Sequence, residues 1–379
     1  MRATLVLAWL MALAGTAEAQ SSQFAVRGLG LPGRNVSTRA RATGGSFGLF
    51  DSESSLTPTS LAGLGAMTAG FNITPEWRRW ESPAGNASLQ DTRFPLFLIA
   101  GPLPHRSVWL GISFSSYVDR DYRLASVDTI SIRSVPVGVT DTLSSTGGLD
   151  DLRFAAAVRP GDGWTLGAGF HVITGSNRLQ SNRVFADTLF LPVRQTSELS
   201  YAGVGFSLGA AHRVGPTLTL AALIRSDGHA NVDRDSTRTS RIDLPYSFAA
   251  GVLFRPSAKL QVAGQVLYRT WSGANSDLIS QGGIGAVNTL DFSAGMELIP
   301  DPRRPTRRPI RLGLRYTGLP FPLATAQKAH EFSLSAGSGA RFAKGRAGVD
   351  LAVERVWRSD ASVQKERALL FTVGISVRP

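Results

Sequence analysis

The chain of 379 residues contains no cysteine, so disulfides and thiolate metal sites are excluded. It lacks long apolar runs. Beyond the first residues no stretch reaches the ~18 consecutive apolar residues of a spanning helix, so transmembrane helices are excluded too. Its histidines, His105, His171, His212, His229 and His330, have no metal-ligand spacing. No metal and no other cofactor is expected. Acidic residues are too few to balance the basic ones, 28 against 40, giving a formal charge of +12. A basic chain can bind nucleic acid, but the cations here are spread along the whole length and form no patch. No nucleic-acid partner is expected. Glycine is plentiful, at 40 residues, which suits close-packed strands and turns.

Residues 1–20 read as an export signal: Arg2 supplies a positive start, Leu5 to Leu13 a short apolar core, and Ala17-Glu18-Ala19 a small-residue site before Gln20. The apolar core is too short to span a bilayer, so the reading is a cleaved signal, with the mature chain starting near Gln20.

The dominant pattern is alternation. From Lys259 to Arg269 the even positions are Leu260, Val262, Gly264, Val266 and Tyr268, and the odd ones are largely polar. A strand sends successive side chains to opposite faces, whereas a helix would mix the two sets. The same pattern recurs in Met67–Ile73, Phe94–Ala100, Val108–Phe114, Trp164–Val172, Leu290–Leu298 and Leu369–Val377, among others. About fourteen strands are predicted. Short connections such as 160–162, 213–215, 255–257 and 343–344 alternate with long polar ones at 118–148, 174–198, 226–243 and 272–287. Short turns on one side and long loops on the other are the arrangement of an outer-membrane barrel. A soluble β-sandwich or propeller would not explain that asymmetry together with export. Trp77, Trp80, Tyr117, Trp164, Tyr268, Trp271, Tyr316 and Trp357 lie near strand ends, where interfacial aromatic belts form. The fold expected is all-β: a transmembrane antiparallel β-barrel over residues 66–379.

Residues 21–65 show no strand period but carry Phe24, Leu29, Phe47, Leu49 and Leu61, which favours a plug, or hatch, folded into the barrel over a disordered tail. Two motifs fall here. Gly28-Leu29-Gly30-Leu31-Pro32-Gly33 matches G-x-G-x-x-G, but a dinucleotide fingerprint needs a strand before it and a helix after it. Gly44-Gly45-Ser46-Phe47-Gly48 matches G-x-S-x-G, which needs a strand-to-helix elbow in an α/β sheet. Neither context is present, and the chain is not expected to be an enzyme.

The stretch Gly28–Gly33, the run Ala42-Thr43-Gly44-Gly45-Ser46, the segment DSESSLTPTSLAGL from Asp51 to Leu64, and the strand pair in Asp243–Trp271 together resemble the FadL/TodX-type outer-membrane transporters of long-chain fatty acids and aromatic hydrocarbons. The resemblance covers most of the chain after the signal. It implies fourteen strands and an N-terminal hatch. Thr57-Pro58-Thr59 replaces the family's N-P-A, and the chain ends Val377-Arg378-Pro379 without a terminal aromatic.

The expected function is passive, hatch-gated passage of hydrophobic small molecules, fatty-acid-like or hydrocarbon-like, across the bacterial outer membrane. The alternatives are a structural or secretion-associated barrel with a surface partner, and a general porin. Outer-membrane lipids and the barrel-assembly machinery are the other expected partners. Alternation puts Phe97, Trp109, Ile173, Leu253, Leu267 and Leu370 on the inner face as candidate ligand-lining residues. Arg34, Arg39, Asp51, Thr57 and Pro58 are candidate hatch or gating residues. The inward charges Asp151, Arg153, Asp291, Glu297, Arg311, Arg315, Asp350 and Glu354 are expected to pair with one another or with Arg34 and Arg39.

Overall fold

A computed structural model describes residues 22–82, 85–105, 107–235, 237–301, 308–323, 328–360 and 365–378. The signal sequence read at 1–20 and the first residue of the expected hatch lie outside the described residues. After a two-residue strand β1 (Leu31–Pro32) and a short helix α1 (Thr38–Ala42) come β2 (Thr68–Ser82), β3 (Gly85–Pro102), β4 (Val108–Asp119) and β5 (Tyr122–Ile132). Then follow β6 (Val135–Gly161), β7 (Trp164–Phe185), β8 (Val193–Val214), β9 (Leu218–Ser226), β10 (His229–Arg234) and β11 (Thr237–Asp243). The chain continues through β12 (Tyr246–Phe254), β13 (Leu260–Arg269), helix α2 (Asn275–Ser280), β14 (Thr289–Leu298) and β15 (Ile310–Gly318). It finishes with β16 (His330–Phe342), β17 (Ala347–Ser359) and β18 (Lys365–Val377).

Fourteen of these strands form a closed antiparallel barrel, sealed where β18 pairs with β2 from Lys365↔Glu81 to Val377↔Ala69. Closure leaves no strand of the ring with an edge free along its whole length. The remaining strands are β1, which lies inside, and β5, β10 and β11, which extend the sheet at the long-loop end. The stretches 118–148, 174–198 and 226–243, read from sequence as loops, therefore hold strands or strand ends, and 272–287 holds α2. Above the bilayer neither sheet face has to be apolar. β5 is accordingly exposed along most of its length and carries no apolar stripe to read.

On the barrel wall the alternation is sharp. Phe71, Ile112, Phe154, Leu208, Ile224, Leu290, Leu334 and Ile375 point outward and are exposed. A continuous apolar belt of this kind would aggregate in water, whereas around a barrel it is the surface that meets lipid. Among the described residues no helix is long and apolar enough to cross a membrane.

Two sequence expectations are corrected here. Phe97 is 43% exposed and faces outward with Ile99, while Leu96, Leu98 and Ala100 are buried on the inner face. The cause is a bulge. Arg93 pairs with Thr74 and Leu96 with Asn72, so Phe94 and Pro95 together oppose the single residue Ile73. One extra residue inverts the facing of everything beyond it. Trp271 and Tyr117 are not belt residues. Trp271 is 2% exposed and packs its ring edge against Phe321, 5.3 Å away, in a cluster with Leu29, Ile173 and Ile242 that caps the interior at the long-loop end.

Residues 22–64 run inside the ring of strands. Ser37 caps α1 by accepting the Ala40 N–H at 3.1 Å, and the helix packs on β15, β16, β17 and β18. It approaches so closely because inward positions there are glycines. A Cβ on Gly313 would lie 2.0 Å from the carbonyl carbon of Thr43, and one on Gly337 would lie 2.5 Å from Ala42 Cβ. The turn Pro58–Gly63 fits against β3, β4, β6, β7 and β8, and its end is tied by Trp109 Nε1 donating to Leu64 O at 2.8 Å.

Candidate functional site

The inner wall is polar, and most of its charges are paired. Arg153, expected from sequence to pair, instead donates to Ser113 Oγ at 3.1 Å and meets no carboxylate within ion-pair distance among the described residues. Arg39 donates to Glu297 at 2.6 and 2.9 Å and to Asp51 at 3.2 Å. Glu297 also receives Arg311, which reaches Asp350. Arg34 and Arg41 share Glu354, at 2.7 and 3.2 Å. Asp51 accepts the Ser37 hydroxyl as well. The arginines of the inner segment thus bind carboxylates on β14 and β17. Breaking a buried pair strands its partner, a larger effect than the net worth of the pair. Glu354→Gln is expected to destabilise the folded barrel by about 3 kcal/mol, read as a shift in urea unfolding in lipid vesicles. An unchanged midpoint contradicts this role.

Between that segment and the wall lies a cavity of about 310 Å³, at the lower end of the size range of small-molecule sites. Its apolar lining comes from Leu31, Pro32, Phe94, Pro95, Val118 and Leu370, and arginines and carboxylates fill the rest. The wall beside it is incomplete. β3 pairs with β4 only from Pro102↔Trp109 to Leu96↔Ser115, so the ladder stops at Pro95. Proline has no N–H to donate. The β4 residues freed there bond inward instead: Leu31 and Pro32 pair with Asp119 and Val118, and the Gly33 N–H donates to Tyr117 O at 2.9 Å. This contact explains the glycine motif. A Cβ on Gly30 would lie 2.2 Å from Asp119 O, and one on Gly33 would lie 2.1 Å from Ser116 O. The glycines allow backbone to lie on backbone.

Charged groups frame this gap. Arg93 bridges Asp119 at 2.5 Å, Glu76 at 2.9 Å and Asp91 at 3.1 Å. Asp121, in the connection after β4, accepts the Gly147 N–H, and its carboxyl is pushed up to about 6 by burial and by Asp119 beside it. A folded-state value above the free carboxyl's means that the protonated form favours folding. That contribution is complete below about pH 4 and is lost as pH rises through about 6. Asp121→Asn should therefore flatten the fall in stability between about pH 4 and 6. Parallel curves for the two proteins contradict the assignment.

The candidate residues from sequence fall in different places. Leu370 and Arg34 line the cavity beside the β3–β4 gap. Leu267 lines a space of only about 30 Å³. Leu253 packs with Phe47 and Leu49 and lines a cavity of about 340 Å³ at the short-turn end. Trp109 packs on Leu61 and Leu64, and Ile173 joins the cluster under the long loops. Phe97 is outside. Thr57 accepts the Thr59 N–H, and Pro58 sits against Gly167. Arg39 and Asp51 are interior anchors. Sequence reading missed Pro95, whose signal is a proline inside a strand. It also missed Arg269, an inward arginine that lines both the cavity beside the gap and the small space next to it, without a carboxylate partner within ion-pair distance among the described residues.

One buried relay deserves description. Asp151 Oδ1 lies 2.9 Å from His171 Nδ1, and His171 Nε2 lies 2.9 Å from Ser207 Oγ. The order matches a nucleophile triad. Ser207 is 2% exposed, however, and neither it nor His171 lines any of these cavities. Asp151 is also held by Arg225 at 2.7 Å. In this conformation the Asp151–His171–Ser207 relay satisfies buried polar groups.

No protein-family model matches the chain, and no curated protein matches it either. Solved structures do. A Pseudomonas aeruginosa FadL homologue superposes with a TM-score of 0.63 at 12% identity, covering 92% of this chain and 99% of that one. The chain has a FadL-type fold. A CymD monoaromatic hydrocarbon channel (TM-score 0.58, 15% identity, 93% and 98% covered) and the Pseudomonas putida toluene transporter TodX (0.58, 11%, 92% and 99%) share the FadL-type architecture. At such identities the likeness carries the fold, and side-chain roles must come from this chain's own geometry.

Proposed function

We propose that the chain is an outer-membrane channel for small hydrophobic molecules, and that the segment 22–64 is its hatch. The carrying observation is the cavity placed against the one stretch of wall where β3 and β4 are unpaired. A molecule held beside Leu370, Phe94 and Val118 can leave sideways into the membrane without crossing an aqueous pore. The likeness in fold to a monoaromatic hydrocarbon channel and a toluene transporter supports this reading. A general porin is disfavoured because ordered chain occupies the lumen.

Arg269 refines the substrate class. Its guanidinium at the cavity wall suits an acidic headgroup, since a hydrogen bond to a charged group is worth roughly 1.5–3 kcal/mol. Uptake of a labelled long-chain carboxylate by cells lacking or expressing the chain tests the channel reading, and equal uptake counts against it. Arg269→Met should lower carboxylate uptake about tenfold or more while sparing a neutral aromatic. Equal loss of both removes the headgroup role.

A further inference from the structure

Outside the lumen, one sector of the apolar belt ends in a group of cations. Arg355 on β17, Arg367 on β18 and Arg79 on β2 all point outward. Register brings them together: Trp357 faces Arg367, which faces Arg79, and the row below runs Arg355, Leu369, Trp77. They line a groove of about 580 Å³ on the outer wall, floored in part by Trp77 and Leu369. The sector is local. Continuing the same rows onto β16, β15 and β14, the outward residues are Phe332, Tyr316 and Phe292 in one and Leu334, Leu314 and Ala294 in the other.

Neutralisation within the protein is slight. Glu81 stands 3.8 Å from Arg79 Nε and 4.0 Å from Arg367 Nη2, at the limit of ion pairing. Arg355 has no carboxylate partner among the described residues and lies 5.8 Å from the Trp357 ring centre. Height matters as much as charge. From Val377 to Leu369 the outward residues of β18 climb eight positions, about 27 Å along the strand at ~3.4 Å per residue, or about 20 Å vertically at a tilt of ~40°. An apolar belt is about 25 Å tall. The arginines therefore stand where hydrocarbon gives way to headgroups, on the long-loop side.

We propose that this groove binds a multiply phosphorylated lipid of the leaflet on the long-loop side. The three guanidiniums take its phosphates, and Trp77 and Leu369 take the start of an acyl chain. Guanidinium matches phosphate oxygens two at a time, and it is less strongly hydrated than an ammonium, which favours such a site at a membrane interface. That the leaflet is the outer one rests on the outer-membrane reading above, whereas the phosphate chemistry does not.

The test uses the purified full chain in detergent and native mass spectrometry. The probes are a diphosphorylated acyl-disaccharide lipid, its monophosphorylated form and phosphatidylcholine. The expected order of retention is diphosphorylated, then monophosphorylated, then phosphatidylcholine. Replacing all three residues (Arg79→Gln, Arg355→Gln, Arg367→Gln) should weaken binding of the first about tenfold or more, and millimolar inorganic phosphate should not displace it. Equal retention of the three lipids, or unchanged binding by the triple variant, overturns the proposal. Displacement by inorganic phosphate would assign the groove to a soluble anion and overturn it too. If the triple variant fails to insert, Arg355→Gln alone should still weaken binding about threefold, and no change overturns it. None of these residues lines the lumen cavity, so hydrophobic uptake by the folded triple variant should equal that of the parent. Loss of uptake would count against the channel reading without touching the lipid site.

Discussion

Deleting Pro95 should cut hydrophobic uptake by about an order of magnitude or more while leaving a folded barrel. The bulge places Phe94 and Pro95 opposite Ile73 and ends the β3–β4 ladder at Leu96. Without Pro95 the order becomes Phe97 outward, Leu96 inward, Phe94 outward, Arg93 inward, and alternation runs unbroken through β3. The ladder could then continue toward Ser116, each restored bond closing part of the gap. Pro95→Val, which returns an N–H without shortening the strand, should produce a smaller loss in the same direction. Uptake of a labelled hydrocarbon by cells, normalised to heat-modifiable barrel on a gel, measures both. If the deletion folds and takes up substrate at the parental rate, passage does not run through this part of the wall.

The second large effect concerns ions. With residues 22–64 in place, α1, the turn Pro58–Gly63 and the buried side chains of Phe47 and Leu49 occupy the lumen. Single channels of the full chain in planar bilayers should show little or no steady conductance. Removing 22–64 should raise it about tenfold or more, because a fourteen-stranded ring lies near the size at which barrels hold an aqueous channel. The deletion strips Glu354 of both Arg34 and Arg41, so Glu354→Gln belongs in the same chain to avoid an isolated interior charge. A large steady conductance from the full chain would point to a porin, and no gain from the deletion would show that the long-loop cap seals the barrel alone.

The wall of the barrel was legible in the sequence for a physical reason. Lipid demands an apolar outer face, and the period of two leaves a plain record of it in stretches such as Leu260–Tyr268. The record failed where lipid places no demand. β5, β10 and β11 stand outside the bilayer, and their polar faces read as loop. It failed again at Pro95, because Phe94, Leu96, Leu98 and Ala100 continue an apolar alternation straight through a bulge that reverses its facing. The candidate site was less visible. Leu370 and Arg34 do line the cavity, but the gap exists only through register between two strands and the contact of Gly30 and Gly33 with the distant β4 residues Asp119 and Ser116. Arg269 looked like any inward polar residue, and only in three dimensions does it lack a neighbouring carboxylate while lining the cavity.

The central claim, that small hydrophobic molecules pass through the lumen cavity and out between β3 and β4, is tested most directly by blocking that gap reversibly. The chain has no cysteine of its own, and Thr92 is exposed and lines the cavity at the gap. In proteoliposomes of Thr92→Cys, a benzyl thiosulfonate reagent should sharply slow influx of a fluorescent hydrophobic substrate, and dithiothreitol should restore it. Influx that continues at the unmodified rate with the thiol fully labelled would contradict the route.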